Sequence, residues 1–592
     1  MKRNMLHPDL QALIEMGLIA GVVTMFTAMV GMIQTFDARE VIAGIITLGD
    51  ILLFAPSVVV GYLTAQKIKG EPAPQQLMKV ILVGIVSSLP SIAVLLIDEI
   101  TNIRHIFASL NDQMVSIITF EQDTKTTGGL ILLLALTACS LVGASLVIVP
   151  EQFRRHLLTG IGWMLGIGIM SELIVQVLRR LLGREIIRFF FQTDHLKPLT
   201  ALGIFLVVVA ISWLWKSKGG TVVERYDALP DDQQKVVRWG GLGLSILALP
   251  LLPLILGPYF SDVLATVGLY VLMGLGLNIA VGMGGLLDLG YVVTFAVGAY
   301  TVAILTSTGP LGIAEKSDVT IFDFWLAIPV AVVVAMFTGF ILSLPVLKMR
   351  GDYLAITTLG FGEIIELLAK SDWLKPYIGG AQGILFIPPP EILGINLSGP
   401  EEILGYDLRG PEQIYWIALV GCFIVVFIAL RLNNSRTGRQ WMALREDEDV
   451  ARAMGIDTHQ TKMLAFTLSA ASGGLSGAIF AAKLGNIYPN SFDLLISINV
   501  LSLIIVGGMG SIYGVVVGAL VLIGMPELLR EFAEYRLLLY GVLLIIMMRA
   551  RPEGLLPSAV QQREMHVERS ATAVLTGIKD MAQQMKDSEV AS

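Results

Sequence analysis

The chain of 592 residues is 55% hydrophobic and only 15% charged. Ordinary soluble domains carry about 25% charged residues, so too few polar groups are present to cover one or several soluble globules. A net charge of −7 supplies no basic field to displace phosphate counterions, which argues against a nucleic-acid partner. Apolar runs long enough for a bilayer, roughly 20 residues, begin at once: Gln11–Gln34, Val41–Leu63, Met78–Ile97, Gly128–Val149, Leu158–Leu178 and Pro198–Trp215. The first, behind Lys2 and Arg3, is too long for a signal h-region and no A-x-A site follows it, so it is expected to stay as a signal anchor. A polar stretch, Lys216–Arg238, then marks the expected domain boundary.

Beyond it the predicted spans are Trp239–Gly257, Val263–Gly282, Leu286–Thr306, Phe324–Val346, Tyr353–Ala369, Ile414–Leu430, Met463–Ala482, Ile496–Gly507, Ile512–Leu529 and Leu537–Met548. The expected fold is an all-α polytopic membrane protein of about 16 helices, some short or broken by glycine. The expected organisation is an N-terminal transmembrane region (1–215), a cytoplasmic linker (216–238), a core of about ten helices (239–557) and a polar cytoplasmic tail (558–592) with an amphipathic stretch at Ala571–Met585.

The distribution of Lys and Arg sets the expected orientation. With the N-terminus inside, Lys67, Lys69, Lys79, Arg154, Arg155, Lys216 and Lys218 are cytoplasmic, as is the Arg-rich loop Arg431–Lys462. The acidic segments Asp98–Thr127 and Ser371–Glu412 fall outside. Arg179, Arg180, Arg184, Arg188 and Lys197 break the pattern, so either the fifth span is re-entrant or Arg179–Phe191 is an interfacial amphipathic helix.

Cys139 and Cys422 lie far apart in separate apolar runs, and the six histidines lack metal-ligand spacing,. No nucleophile with a paired base is visible, so an enzyme is not expected. Two glycine clusters are more informative. One holds Gly284 and Gly285, with Asp288, in VGMGGLLDLGY; the other holds Gly507, Gly508 and Gly510 in VGGMGSIYG. They resemble each other weakly, which hints at an internal repeat. A helix broken at membrane depth is tolerated only against protein or a water-filled pathway, so both clusters are candidates for a translocation route; tight turns at the membrane edge are the alternative. Among acids within apolar runs, Asp50 and Glu172 suit packing or assembly. Asp288 suits either a helix cap or a substrate contact, and Glu363 is expected to face a cavity or a partner.

The loop Arg431–Lys462 contains REDEDVARAMGI, with acids suited to a helix N-terminus and Gly455 as the stop,. A solvated loop helix is one reading and a docking surface the other. This stretch resembles the coupling loop of ABC importer permeases. With GLNIAVGMGGLLDLGYVVTFAVGAY, RGDYLAITTLGFGEII, GGAQGI, NNSRTGRQWMALREDEDVARAMGI, IIVGGMGSIYGVVVGAL and RPEGLLP, residues 251–557 resemble the LivM-type permease of branched-chain amino acid importers. Acids occupy the first alanine position of the coupling motif, so Ala451, Ala453 and Gly455 are the positions that match.

The resemblance implies ATP-driven alternating access to a branched aliphatic amino acid. The coupling surface would include Glu446, Asp447, Ala451, Ala453 and Gly455. The chain carries no G-x-x-x-x-G-K-[ST] motif, so no cofactor is expected in it and ATP would be bound by partners. Those partners are two ABC ATPase subunits, a second permease of LivH type or another copy of this chain, and an extracytoplasmic amino-acid-binding protein. The implied location is a prokaryotic plasma membrane with both termini cytoplasmic. Carboxylate contacts are expected at half-helix N-termini near Gly284–Asp288 or Gly507–Ser511, and an ammonium contact at Glu363. A related importer for urea, amides or other amino acids is the alternative, followed by a stand-alone secondary transporter.

Overall fold

The structure is a computed structural model that describes residues 8–557, apart from 101–106, 108, 123, 228–229, 314–322, 350, 393–394, 397–400, 404–405, 409, 529–534 and 552. The tail 558–592, with the expected amphipathic stretch Ala571–Met585, lies outside the described residues. The chain divides into two compact units, Met1–Gly241 and Leu242–Ser592.

In the first unit, α1 (Pro8–Met29), α3 (Leu48–Lys67), α4 (Ala73–Ile100) and α6 (Lys125–Ile148) pack together, with α2 (Met32–Asp37) and α5 (Asp112–Ile118) at their margin. Buried serines join α3 to α4: Ser57 and Ser87 share a hydroxyl hydrogen bond of 3.1 Å. Asp98 is buried at the end of α4 and pairs with Lys125 at 2.7 Å. The run Val41–Leu63 does not form one span. Its first residues form a hairpin of β1 (Glu40–Ile42) and β2 (Ile46–Thr47), and Asp50 closes a capping box with Thr47 at the start of α3. The acid therefore satisfies backbone N–H groups at a helix entry, where a carboxylate is favoured.

The fifth expected span is broken. α7 (Glu151–Ile169) and the Ser171–Arg179 part of α8 (Ser171–Phe190) meet at 70°, and α8 bends again at Gly183, whose φ is 79°. Arg179 pairs with Asp194 at 2.8 Å. Strands β3 (Phe191–Gln192) and β4 (His195–Leu196) follow, β4 pairing with Ile42, to give a sheet of order β2-β1-β4-β3. Helix α9 (Pro198–Asp227) extends into the stretch expected as a linker, 216–238, and α10 (Asp231–Ala248) begins within it.

The second unit comprises α11 (Leu252–Leu256), α12 (Pro258–Leu277), α13 (Val292–Thr306), α14 (Phe324–Val346), α15 (Asp352–Lys370), α16 (Lys375–Ile378), α17 (Gly410–Asn433), α18 (Arg436–Glu446), α19 (Glu448–Ala453), α20 (Thr458–Leu484), α21 (Leu494–Gly507), α22 (Ile512–Ala519), α23 (Met525–Leu528) and α24 (Arg536–Ala550). Small two-stranded hairpins, β5–β6 (Glu391–Ile392 with Ile395–Asn396) and β7–β8 (Glu401–Ile403 with Tyr406–Leu408), precede α17. Helix α20 is the hub, packing against α12, α13 and α14. Its sequence explains this: Ser472, Gly473, Gly474, Ser476 and Gly477 give it a small-residue face that lets other backbones approach,. The Ser472 hydroxyl donates to Leu272 O at 2.6 Å and that of Ser476 to Leu269 O at 3.0 Å.

One end of this unit holds α18 and α19 (the loop end). At the other, Lys483 pairs with Asp262 at 3.1 Å and Ile384 bridges Ile487 (the hairpin end).

Among the described residues, ten helices are long and apolar enough to cross a membrane, or up to eleven counting the bent pair as one. Three shorter apolar helices, Ile246–Leu256, Val292–Thr306 and Ile512–Glu527, account for part of the difference from the expected sixteen or so,. Helix α15 accounts for more, since it carries Glu363, Glu366 and Lys370 among its apolar residues.

Candidate functional site

The two glycine clusters, more than 200 residues apart in sequence, meet at the loop end. Helix α12 closes in a π-helical turn, Asn278–Met283, a local widening often found at functional sites,. Asn278, only 1% exposed, uses Oδ1 to accept the Gly510 N–H at 2.8 Å. Gly282 faces the same point, where a Cβ would overlap Asn278 Oδ1 and lie 2.6 Å from Gly510 N. Gly510 has φ 78°, a left-handed conformation that costs other residues roughly 1–2 kcal/mol,. Both positions thus need glycine, one for space and one for backbone shape.

The C-terminal motif joins the same junction. A helix leaves its last carbonyls without partners, and those at the end of α21 are taken up from RPEGLLP: Leu555 N–H donates to Val506 O at 2.8 Å and Leu556 N–H to Gly507 O at 2.9 Å. On the other side Arg445, near the end of α18, donates from Nη1 to Gly282 O at 2.8 Å. Its side-chain stem lies against Gly285, 3.0–3.2 Å from where a Cβ would stand.

Between Met283 and α13 the chain is irregular. Asp288 is buried, and its Oδ1 accepts the Gly290 N–H at 2.9 Å, while Thr358 of α15 accepts the Leu289 N–H at 3.0 Å. Asp288 thus fixes the turn ahead of α13 and is not its N-cap, a position held by Tyr291. The first amide of α13 is occupied, Val292 N–H donating to Ser497 Oγ at 3.0 Å. At the second break, Ser511 caps α22 by accepting the Gly514 N–H at 3.0 Å. Glu363 stands apart from both breaks, exposed on α15.

The loop Arg431–Lys462 folds into α18 and α19 by local rules. Ser435 caps α18 by accepting the Gly438 N–H, and Asp447 caps α19 by accepting from Asp449 and Val450 at 2.8 and 2.9 Å,. Gly455, with φ 86°, ends α19 in a Schellman motif: its own N–H reaches Arg452 O and the Ile456 N–H reaches Ala451 O,.

Three anchors hold this pair to the bundle. Trp441 is fully buried and donates to Thr461 O at 2.9 Å. Glu448 pairs with Lys462 at 2.9 Å, with the lysine side chain 3% exposed. Arg445 is the third. Ala451 packs inward, whereas Glu446, Asp447, Ala453 and Gly455 are exposed together with Val450 (59%) and Met454 (79%).

Asn278, Arg445, Val450 and Met454 are absent from the set predicted from sequence. A lone Asn in an apolar span, an Arg four residues after a Trp on one helix face, and an i, i+4 apolar pair among charges are the signals that mark them.

The family profile described as the permease component of branched-chain amino acid transport systems matches residues 259–548. The chain is 39% identical over 308 residues to the high-affinity branched-chain amino acid transport permease LivM of Escherichia coli K12, covering 50% of this chain and 69% of that protein. It is 27% identical over 335 residues to the probable LivM of Methanocaldococcus jannaschii, covering 50% and 93%. It is 24% identical over 295 residues to LivH of Salmonella typhimurium, covering 48% and 91%. No solved structure matches. A helical membrane bundle whose motifs converge on one junction, and whose matched region spans nearly all of that bundle, thus belongs to the branched-chain amino acid permease family of ABC-type transporters, on its LivM branch.

Proposed function

We propose that the chain is a non-enzymatic permease subunit of an ATP-driven importer for leucine, isoleucine and valine, lying in a prokaryotic plasma membrane with its loop end and both termini in the cytoplasm. Two separate ATPases supply the energy, a second permease of LivH type or another copy of this chain completes the pathway, and an external binding protein delivers the amino acid at the hairpin end. Residues 1–215 are an added transmembrane region, 216–238 a linker and 558–592 a cytoplasmic tail.

The observation that carries this reading is the build of α18 and α19. The pair is gripped from the membrane side by Trp441, Arg445 and the Glu448–Lys462 ion pair, yet turns Val450, Ala453 and Met454 outward. A solvated loop needs neither the buried anchors nor the exposed apolar residues; a surface that grips a motor and passes its motion on needs both. Arg445 supplies the route of transmission. It ends on the carbonyl of Gly282, where the chain breaks of α12–α13 and α21–α22 touch.

Rocking of α18 would pull on this junction, and Gly284, Gly285, Asp288, Gly507, Gly508 and Gly510 would act as the inner gate. Irregular backbone is tolerable at that depth because the other break and RPEGLLP satisfy it.

The test is copurification from native membranes followed by reconstitution. A bound pair of ATPases and ATP-dependent uptake of leucine are expected. A permease that purifies without ATPases and transports leucine down an ion gradient would refute the proposal.

A further inference from the structure

Helices α13 and α15 enclose an apolar cavity of about 280 Å³ near the middle of the second unit. This is the low end of the range for small-molecule sites. The floor lies where Gly362 approaches Val292: a Cβ added at Gly362 would stand 3.8 Å from Val292 Cγ1. The upper wall includes Leu374 and Ile378, towards the hairpin end. The sides are branched and aliphatic: Val293, Val297 and Ile304 from α13, Ile365 and Leu368 from α15.

Three polar residues interrupt this lining; Thr301 donates its hydroxyl to Val297 O at 2.7 Å, which leaves two. Tyr300 is 9% exposed, and its hydroxyl is buried without a hydrogen-bond partner among the described residues. Orphaned buried hydroxyls are costly, so one on a residue that lines a cavity points to a missing acceptor, which the side chain would meet by a small turn towards the cavity,. The second is Glu366, whose carboxylate is paired with Lys370 on its own helix. From the level of Val292 and Gly362, Tyr300 is eight residues up α13 and Glu366 four residues up α15. At 1.5 Å per residue the two differ in height by about 6 Å. An α-amino acid carries an ammonium, a carboxylate and a side chain on one carbon, the three chemistries that a carboxylate, a hydroxyl donor and an apolar wall would receive.

We propose that this cavity is a cargo site within the permease, taking the zwitterion of a branched aliphatic amino acid with its ammonium on Glu366, its carboxylate on the Tyr300 hydroxyl and its alkyl group among the valines and isoleucines. The proposal rests on the importer reading for its cargo. It moves the expected ammonium contact from Glu363, which is exposed, to Glu366, one turn further along α15. An acyl chain of a lipid is the competing occupant, but it would use neither polar group.

The test uses the complete complex with Thr301→Cys, a cavity-wall position, in a background carrying Cys139→Ser and Cys422→Ser. The rate of alkylation by N-ethylmaleimide is followed while leucine is added. Leucine, isoleucine and valine are expected to slow labelling about threefold at twice their dissociation constant, whereas glycine and lysine do not. Tyr300→Phe removes no protein contact and is expected to raise the half-protecting leucine concentration about tenfold, as is Glu366→Gln. Equal protection by octanol, or protection untouched by both variants, would assign the cavity to lipid and overturn the proposal; so would an absence of protection by leucine. ATP-driven uptake by the parent complex is measured in parallel. Protection without uptake retains the cavity and removes the importer, and uptake without protection does the reverse.

Discussion

Replacing Arg445 with alanine severs a side-chain hydrogen bond from α18 to the glycine junction. The bond lost is a charged donor on a backbone carbonyl at 2.8 Å. Such bonds contribute about 1.5–3 kcal/mol, and because Arg445 is half-buried the lower figure applies. That corresponds to roughly a tenfold shift between the linked and unlinked positions of the loop. The stem over Gly285 adds packing that alanine also loses,.

The expected result in proteoliposomes is that leucine taken up per ATP hydrolysed falls about tenfold, while the assembled complex survives size-exclusion chromatography and its ATPase still responds to the loaded binding protein. Arg445→Lys should rescue only part, because a lysine ammonium lacks the planar fork of arginine. Uptake per ATP unchanged in Arg445→Ala would refute the argument. A parallel loss of ATPase and uptake would reduce Arg445 to a docking residue.

Gly282→Ala forces a methyl group against Asn278 and Gly510, and overpacking of this kind costs about 1–3 kcal/mol; thermal stability should drop and the yield of folded protein with it. Gly510→Ala adds the left-handed penalty of roughly 1–2 kcal/mol and should behave similarly. Val450→Asp and Met454→Glu alter exposed positions only, so each should leave the permease folded but prevent ATPases from copurifying. Lys462→Met removes the buried partner of Glu448, which also pairs with the more exposed Arg452 at 3.2 Å. It should loosen α19 and speed proteolysis next to Gly455, with up to about 3 kcal/mol lost because the lysine is buried,.

Features governed by neighbours in sequence were legible from the chain itself. The acids at 446–449 and Gly455 announce a short helix, and the structure places Asp447 at its cap and Gly455 in the left-handed position. The membrane class follows in the same way from apolar runs. Hydropathy is less informative where a run changes conformation. The hairpin Glu40–Thr47 and the break at Met170 both lie inside runs that look continuous.

Contacts between distant segments were hidden. Each glycine cluster was visible alone, but that Gly282 meets Gly510 depends on how α12 and α21 pack. Arg445 was obscured by its setting, since in a charged loop its one mark is Trp441 a turn earlier on the same helix face. Glu363 and Glu366 look alike in sequence, and only the orientation of α15 against α13 sends one outward and the other to the cavity.

The pairing of Leu555 and Leu556 with the end of α21 also orders events during synthesis. The carbonyls of Val506 and Gly507 enter the bilayer some fifty residues before their partners leave the ribosome. Until then two backbone carbonyls of the second break lack these partners, a costly state wherever water is excluded,. The junction is therefore sealed late, after α24 has been made, so the segment that closes the loop end of the bundle is nearly the last described part to be synthesised. The two glycine breaks cannot be locked together in full before α24, the last helix among the described residues, has been made.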